Sequence, residues 1–321
     1  MATIGYHCSH EQHAPSALLR YVVAAERAGF GAAMCSDHFA PWSEHQGHSG
    51  FAWSWLGAAL HATGLDFGTV TAPGQRYHPA ILAQAAATLA EMYPERLWVA
   101  LGTGEALNEH ITGERWPAKP QRRQRLRECV DVMRALFAGE TVTHEGLVKV
   151  HEARLYTRPQ RPPLLFGAAI SADTAEWVGS WADGLITVAR PEAELRKVVE
   201  RFRAGGGSGK PMYLQACVSF APSEAEAEKA ALDGWRTLAV GSDFKADVTL
   251  PQFFDVAARS IRVEDVRAIV RISADPARHA AWLERDRALG FERIYVHHVG
   301  ADQERLIQAF SELVLPRIEA R

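Results

Sequence analysis

The chain has 321 residues, is 47% hydrophobic and 23% charged, and carries a formal net charge of −3. A chain this long can bury about three quarters of its unfolded surface, and its balanced charge points away from nucleic acid or an anionic membrane as partner. No apolar run approaches the roughly 18 residues of a membrane span, and the opening Ala2-Thr3-Ile4-Gly5-Tyr6 is not a secretory leader, so a cytoplasmic small-molecule function is expected.

Short apolar runs recur along the chain: Thr3 to Tyr6, Ala32 to Ser36, Phe67 to Thr71, Leu97 to Leu101, Pro163 to Ala168, Gly184 to Val188, Met212 to Ser219 and Arg293 to His298. Between them lie segments of helical period with helical ends. Leu18, Leu19, Val22, Val23 and Ala25 close on Gly29, and Pro79 opens an Ala-rich run stopped by Pro94. Strands spaced by helices predict parallel βαβ units, and eight of them predict a closed (β/α)8 TIM barrel, one domain over residues 1–321. A doubly wound open sheet is the alternative.

Two segments interrupt the alternation. Glu140 to Tyr156 alternates around Glu145-Gly146, which predicts a β-hairpin beside the barrel. The charged stretch from about Ala225 to Asp275 predicts a helical insertion before the last strand, of the kind that covers a barrel mouth. The Gly205-Gly206-Gly207-Ser208-Gly209-Lys210 run lacks a leading glycine at phosphate-loop spacing, has Pro211 where a magnesium-binding hydroxyl belongs, and enters a strand; it is a linker. The four cysteines Cys8, Cys35, Cys129 and Cys217 are widely spaced, as free thiols would be.

In a (β/α)8 barrel the active site lies at the C-terminal ends of the strands. Here those ends read Ser36-Asp37-His38-Phe39-Ala40-Pro41-Trp42, Gly68-Thr69-Val70-Thr71-Ala72-Pro73 and Gly102-Thr103-Gly104-Glu105-Ala106-Leu107-Asn108-Glu109. His38, Trp42 and Glu105 give a proton carrier, a flat wall and a second acid or base, equipment suited to moving a hydride beside a bound ring. Each has a plainer reading too: His38 satisfying a carbonyl, Trp42 packing on the rim, Glu105 capping the next helix. His7, His10, His13, His45 and His48 raise a rival of another class, a metal-dependent barrel hydrolase, although His7-x-x-His10 falls where the first strand is predicted to have ended. No metal is expected.

The three strand-end motifs, with Arg76-Tyr77-His78-Pro79-Ala80, Trp181-Ala182-Asp183-Gly184 and Val296-His297-His298-Val299-Gly300, resemble those of luciferase-like oxidoreductases, especially the F420-dependent glucose-6-phosphate dehydrogenase group. The resemblance runs through nearly the whole chain. It implies a barrel, usually dimeric, with a tricyclic cofactor across its mouth. By motif, His38 matches the catalytic base, Trp42 the tryptophan that stabilises the intermediate, and Glu105 the acid beside the deazaflavin ring. Asp37 and Asn108 match cofactor-contacting positions, and Thr69-Val70 the place of a non-prolyl cis peptide behind the central ring.

The resemblance puts the cofactor phosphate at Ala168-Ala169-Ile170-Ser171, where the family usually has Ala-Ala-Gly-Gly. A basic residue before the last Asp-Pro, used by the family for the sugar phosphate, aligns with Ile269, so glucose 6-phosphate is not the expected substrate. The His, Trp and Glu set suits F420, while Gly47 to Trp55 is similar to a subgroup that uses FMN, which tips the expectation slightly to FMN. The reaction expected is hydride transfer between FMN or F420 and a small organic substrate. An FMN-dependent monooxygenase using O2 and a non-catalytic flavin-binding protein are the alternatives.

Overall fold

A computed structural model describes residues 2–319. Its strands are β1 (Thr3–Cys8), β2 (Ala32–Ser36), β3 (Asp66–Thr71), β4 (Leu97–Leu101), β5 (Val142–Glu145), β6 (Lys149–Ala153), β7 (Leu164–Ala168), β8 (Gly184–Val188), β9 (Met212–Ser219), β10 (Arg271–Ile272) and β11 (Arg293–His298). Parallel pairing runs β9, β11, β1, β2, β3, β4, β7, β8 and returns from β8 to β9, which closes a barrel of eight strands. The fold is thus the (β/α)8 barrel, and the open sheet is set aside. The predicted strands are those observed, except that β1 runs two residues further, to Cys8, β3 starts one residue earlier, at Asp66, β7 starts one residue later, at Leu164, and the two-residue β10 on the edge of β9 was not anticipated.

Alternation along each strand builds two cores. Outward residues such as Tyr6, Cys35, Phe67, Val99, Leu165, Leu185, Leu214 and Val296 pack beneath the surrounding helices. Inward residues Met34, Trp98, Phe166, Ile186, Tyr213 and Tyr295 fill the lower barrel. There the Phe166 and Tyr213 rings stack with centroids 4.4 Å apart, and Trp98 Nε1 donates to the Tyr295 hydroxyl at 3.2 Å. This layer needs glycine opposite its rings: a Cβ on Gly68 would lie 1.9 Å from the Trp98 ring, and one on Gly184 would lie 2.4 Å from Phe166.

The helices follow their local signals. Pro15 and Pro79 start the helices Pro15–Arg27 and Pro79–Met92, the latter capped by His78, and Gly29 follows the former at φ +95°. β5 and β6 form the antiparallel hairpin around Gly146. The Gly205 linker is a tight turn between the helix Glu192–Phe202 and β9, and a Cβ on Gly205 would lie 1.9 Å from the Glu176 carbonyl oxygen. The insertion before the last strand is a chain of short helices, chiefly Glu224–Trp235, Ser242–Asp247, Pro251–Ala257 and Val263–Arg267. Its apolar faces meet Trp42 and Leu107 at the mouth in a separate cluster that includes Trp235, Phe254, Val266 and Ile272. No helix among the described residues is long and apolar enough to cross a membrane.

Candidate active site

Above the aromatic layer the character of the barrel changes. On the β2, β3, β4 and β7 side the inward positions are short, namely Ser36, Val70, Gly102 and Ala168, none of them fully buried. This leaves room for a flat group. The β1 and β11 side is instead lined by imidazoles: the His7 and His297 rings stack at 4.2 Å, His7 Nε2 lies 3.3 Å from Ser36 Oγ, and His297 Nδ1 lies 3.0 Å from Gln215 Nε2. Burial lowers His7 to about 3 and His297 well below its usual range, so both rings are neutral at pH 7. His7 belongs to β1 itself, and among the described residues no three His, Cys, Asp or Glu side chains converge as a metal site.

His38 follows β2 on a loop fixed from several sides. Its carbonyl accepts from Ser49 Oγ at 2.7 Å, and the loop is held to the insertion by Ser43 Oγ donating to Asp255 Oδ1 at 2.6 Å and by Glu44 N donating to Asp255 Oδ2 at 3.0 Å. The His38 Nδ1 atom lies 3.2 Å from Glu11 Oε1, and its ring centroid lies 5.3 Å from that of Trp42. Burial pushes His38 down to about 4, with the Arg76 guanidinium adding to the effect and Asp37 opposing it, so the ring is a neutral base. Trp42 is itself held edge-on by Phe254 of the insertion at 5.3 Å.

Glu11 was not singled out in the sequence. It lies beyond β1, nearly fully buried, and accepts from Ser9 Oγ at 2.9 Å; burial raises its carboxyl pKa. Its only sequence signal is a carboxylate three residues past a strand end. Glu105 makes no side-chain cap to the helix Ala106–Glu109, so the capping reading fails. Burial raises its pKa to about 7; the Glu11 and Glu109 carboxylates push the same way, and the Lys245 ammonium and Arg122 oppose them. Lys245, on the insertion helix Ser242–Asp247, is a second residue the sequence did not reveal. Its ammonium donates to the Leu238 carbonyl at 2.9 Å, and burial lowers its pKa while Glu105 raises it.

The remaining candidate residues divide into those facing the mouth and those building its frame. Asp37 accepts from Trp53 Nε1 at 3.2 Å, Thr71 Oγ1 at 2.8 Å and Tyr77 OH at 3.0 Å, and Arg76 Nη1 lies 3.5 Å from its Oδ1. Arg76 also spans to the buried Glu109, whose Oε2 accepts from Arg76 N at 2.7 Å. Asn108 Oδ1 accepts from Phe39 N at 2.8 Å and holds the His38 loop against the helix Ala106–Glu109. Thr69 points outward, where its hydroxyl meets Cys35 Sγ at 3.7 Å, while Val70 points inward. The Thr69–Val70 bond is trans, as are all peptide bonds among the described residues, and both residues keep strand register with β2. Ala168 faces the barrel and Ala169 the outer core. Ile170 is half-exposed, and Ser171 Oγ caps the helix Ala172–Gly179 by accepting from Thr174 N.

The mouth thus sets a side of small residues opposite the neutral His38, Trp42 and the raised carboxyl of Glu105. The luciferase-like monooxygenase family model matches residues 2–314. The chain belongs to this family. An F420-dependent glucose-6-phosphate dehydrogenase of Microbacterium testaceum (strain StLB037) is 36% identical, covering 99% of this chain and 97% of its own. A solved F420-dependent secondary alcohol dehydrogenase, in complex with an F420-acetone adduct, superimposes with a TM-score of 0.93 at 33% identity over 99% of each chain. The F420-dependent tetrahydromethanopterin reductase of Methanopyrus kandleri shares the fold at a TM-score of 0.79 and 20% identity, over 99% of each chain. The protein is accordingly an oxidoreductase built for a flavin-type cofactor. The slight lean to FMN is corrected by these relatives, which are F420-dependent; of the Gly47 to Trp55 stretch that prompted it, Ala52, Trp53 and Trp55 are buried, with Trp53 bound to Asp37, and Phe51 is exposed.

Proposed function

We propose that the protein transfers hydride between F420 and a small secondary alcohol or its ketone, as one domain over residues 1–321, in a cytoplasmic homodimer. The observation that carries this reading is the neutral His38 ring backed by Glu11 at 3.2 Å and flanked by Trp42. When bound, F420 supplies the hydride acceptor. The small inward positions Val70, Gly102 and Ala168 and the amides at the start of the helix Ala172–Gly179 suit its ring and its phosphate.

With Glu11 ionised, the His38 Nδ1 position carries the ring proton and Nε2 is left to take the substrate hydroxyl proton as the carbinol hydrogen departs as hydride. Glu11 then stabilises the imidazolium. Trp42 walls the substrate side. Glu105 is poised to stay protonated beside the cofactor, where a neutral acid favours the added negative charge of the reduced ring. Asp37 and Asn108 act on the cofactor by holding the loop and strand that frame it.

Under the insertion the mouth is backed by a packed apolar cluster that includes Trp42, Leu107, Cys217, Phe254 and Ile272, surroundings that favour a small apolar alcohol over a sugar phosphate. The dehydrogenase at 33% identity supports the same substrate class. The test is fluorescence titration with F420 and with FMN, followed by anaerobic assay with propan-2-ol. Micromolar binding of F420 and oxygen-independent turnover are expected. Binding of FMN alone, or turnover that stops without O2, would overturn the reading in favour of a monooxygenase, and cofactor binding without turnover of any alcohol tested would favour the non-catalytic alternative.

A further inference from the structure

Ser36, Val70, Gly102, Ala168, Val188 and Gln215 point into the barrel at the level of the mouth, and each keeps some exposure, so they border one open space. Four of the six offer that space no polar side chain. Gln215, on β9, carries an amide. The next inward residue of the same strand, Cys217, packs in the cluster that holds Trp42, which puts Gln215 at the foot of the side that Trp42 walls.

A chain of hydrogen bonds fixes which end of that amide faces the space. The Val299 carbonyl can only accept, so Gln12 Nε2, 2.8 Å away, is the donor there. Gln12 therefore turns its Oε1 to His297 Nε2 at 3.2 Å, and that nitrogen carries the ring proton. Because His297 is neutral, its Nδ1 is bare and accepts, from Gln215 Nε2 at 3.0 Å and more loosely from Cys217 Sγ at 3.6 Å. Gln215 Oε1 is what remains. It has no hydrogen-bond partner among the described residues, and it is not sealed from solvent. The ring that sets this direction is held on two sides, stacked on His7 at 4.2 Å and met edge-on by Trp235 at 4.7 Å. The open space is thus given a rigid acceptor, which calls for a donor.

We propose that Gln215 is a substrate-binding residue whose amide oxygen takes a second hydroxyl of the alcohol, so that the preferred substrate is a small uncharged diol, oxidised at its secondary carbon to a hydroxyketone. This deepens the dehydrogenase reading and rests on it. The hydride goes to F420 and the carbinol proton to His38, as for a simple alcohol; the second hydroxyl is unchanged by the reaction and donates to Gln215 Oε1. Gln12 and His297 are positioning residues that act through Gln215. An ether oxygen in place of the second hydroxyl can only accept, and it would cover the amide oxygen without pairing it. Sites built around a substrate hydroxyl reject such analogues far more strongly than apolar pockets reject a change in size.

The test is steady-state reduction of F420 by propane-1,2-diol against 1-methoxypropan-2-ol, and by butane-1,3-diol against 4-methoxybutan-2-ol, with propan-2-ol alongside. At least one diol should exceed its ether by about tenfold or more in kcat/KM, chiefly through KM. In Gln215→Met, which keeps the length and removes the acceptor, that preference should shrink to about twofold or less, with the Kd for F420 from fluorescence titration within about twofold of the parent. Ethers used as well as both diols by the parent overturn the proposal, and this comparison needs no variant to fold. A preference that survives in Gln215→Met overturns it too, as does a Kd for F420 weakened by about tenfold, which would assign the amide to the cofactor. Propan-2-ol turnover without a diol preference defeats this proposal alone; turnover of none of these alcohols defeats the dehydrogenase reading and the proposal with it.

Discussion

Glu11 stands behind His38: its Oε1 atom lies 3.2 Å from His38 Nδ1, which places a carboxyl group from beyond β1 against an imidazole from beyond β2. The two are far apart in sequence and meet because β1 and β2 are neighbours in the barrel. Glu11→Gln keeps the shape and removes the charge. Turnover should fall by about 10 to 10²-fold and its acid limb should move, while the Kd for F420 stays within about twofold. His38→Ala should cost about 10² to 10⁴ in kcat. Stopped-flow hydride transfer and fluorescence titration measure both; unchanged turnover in either variant would reject the pair as the proton-transfer unit.

Glu105 titrates near 7, above the usual carboxylate value. As its protonated form favours a reduced cofactor, the rate of cofactor reduction should decline as pH rises through about 7. Glu105→Gln should flatten that limb. The same raised pKa has a stability consequence: the folded state binds the proton more tightly, so stability falls as pH climbs from about 4.5 through 7. At pH 8 the Gln variant should therefore be more stable than the parent, by on the order of 1 kcal/mol once partial exposure is allowed for. A thermal melt series at pH 5 and pH 8 reads the difference, and a parent that gains stability between them contradicts the sign.

Asp37 joins Trp53, Thr71, Tyr77 and Arg76 beneath the mouth. Asp37→Ala leaves Arg76 without one of its carboxylates and strands several buried donors, so a loss of about 3 kcal/mol is expected. Cofactor affinity should drop with it, because the His38 loop loses its anchor. Urea unfolding of the parent and the variant gives the number; a variant as stable as the parent would show that the network is dispensable.

Gly68 faces Trp98 inside the barrel, where a methyl group would sit 1.9 Å from the indole. Gly68→Ala must displace Trp98 and with it the stacked Phe166 and Tyr213 layer, at a cost of about 3 kcal/mol or more. Near-ultraviolet circular dichroism reports the indole directly. An unchanged spectrum and Tm would mean that the layer yields more readily than its packing suggests.

Loosening the insertion tests its hold on the substrate side. Asp255→Ala removes both acceptors for Ser43 and Glu44, and Trp42 should lose its fixed position against Phe254. KM for the alcohol should rise several-fold with the F420 Kd unchanged. An equal rise in both constants would point instead to general unfolding of the mouth.

Periodicity carried the fold. Alternating apolar runs separated by Pro-started, Gly-ended helices are local signals, and a closed barrel follows because eight parallel βαβ units have few other ways to bury both faces of their strands. The strand ends were likewise legible, so His38, Trp42 and Glu105 stood out as polar residues where a barrel places its mouth. What lay beyond the sequence was long-range. Asp37, Asn108 and Thr69 have the same local appearance whether they face a ligand or brace the frame, and only the packing of Trp53, Tyr77, Phe39 and Cys35 against them settles where they point. Glu11 and Lys245 carry no motif at all. Their importance arises from desolvation and from charges brought near by neighbouring strands and by a folded insertion, and burial is a property of the tertiary structure alone.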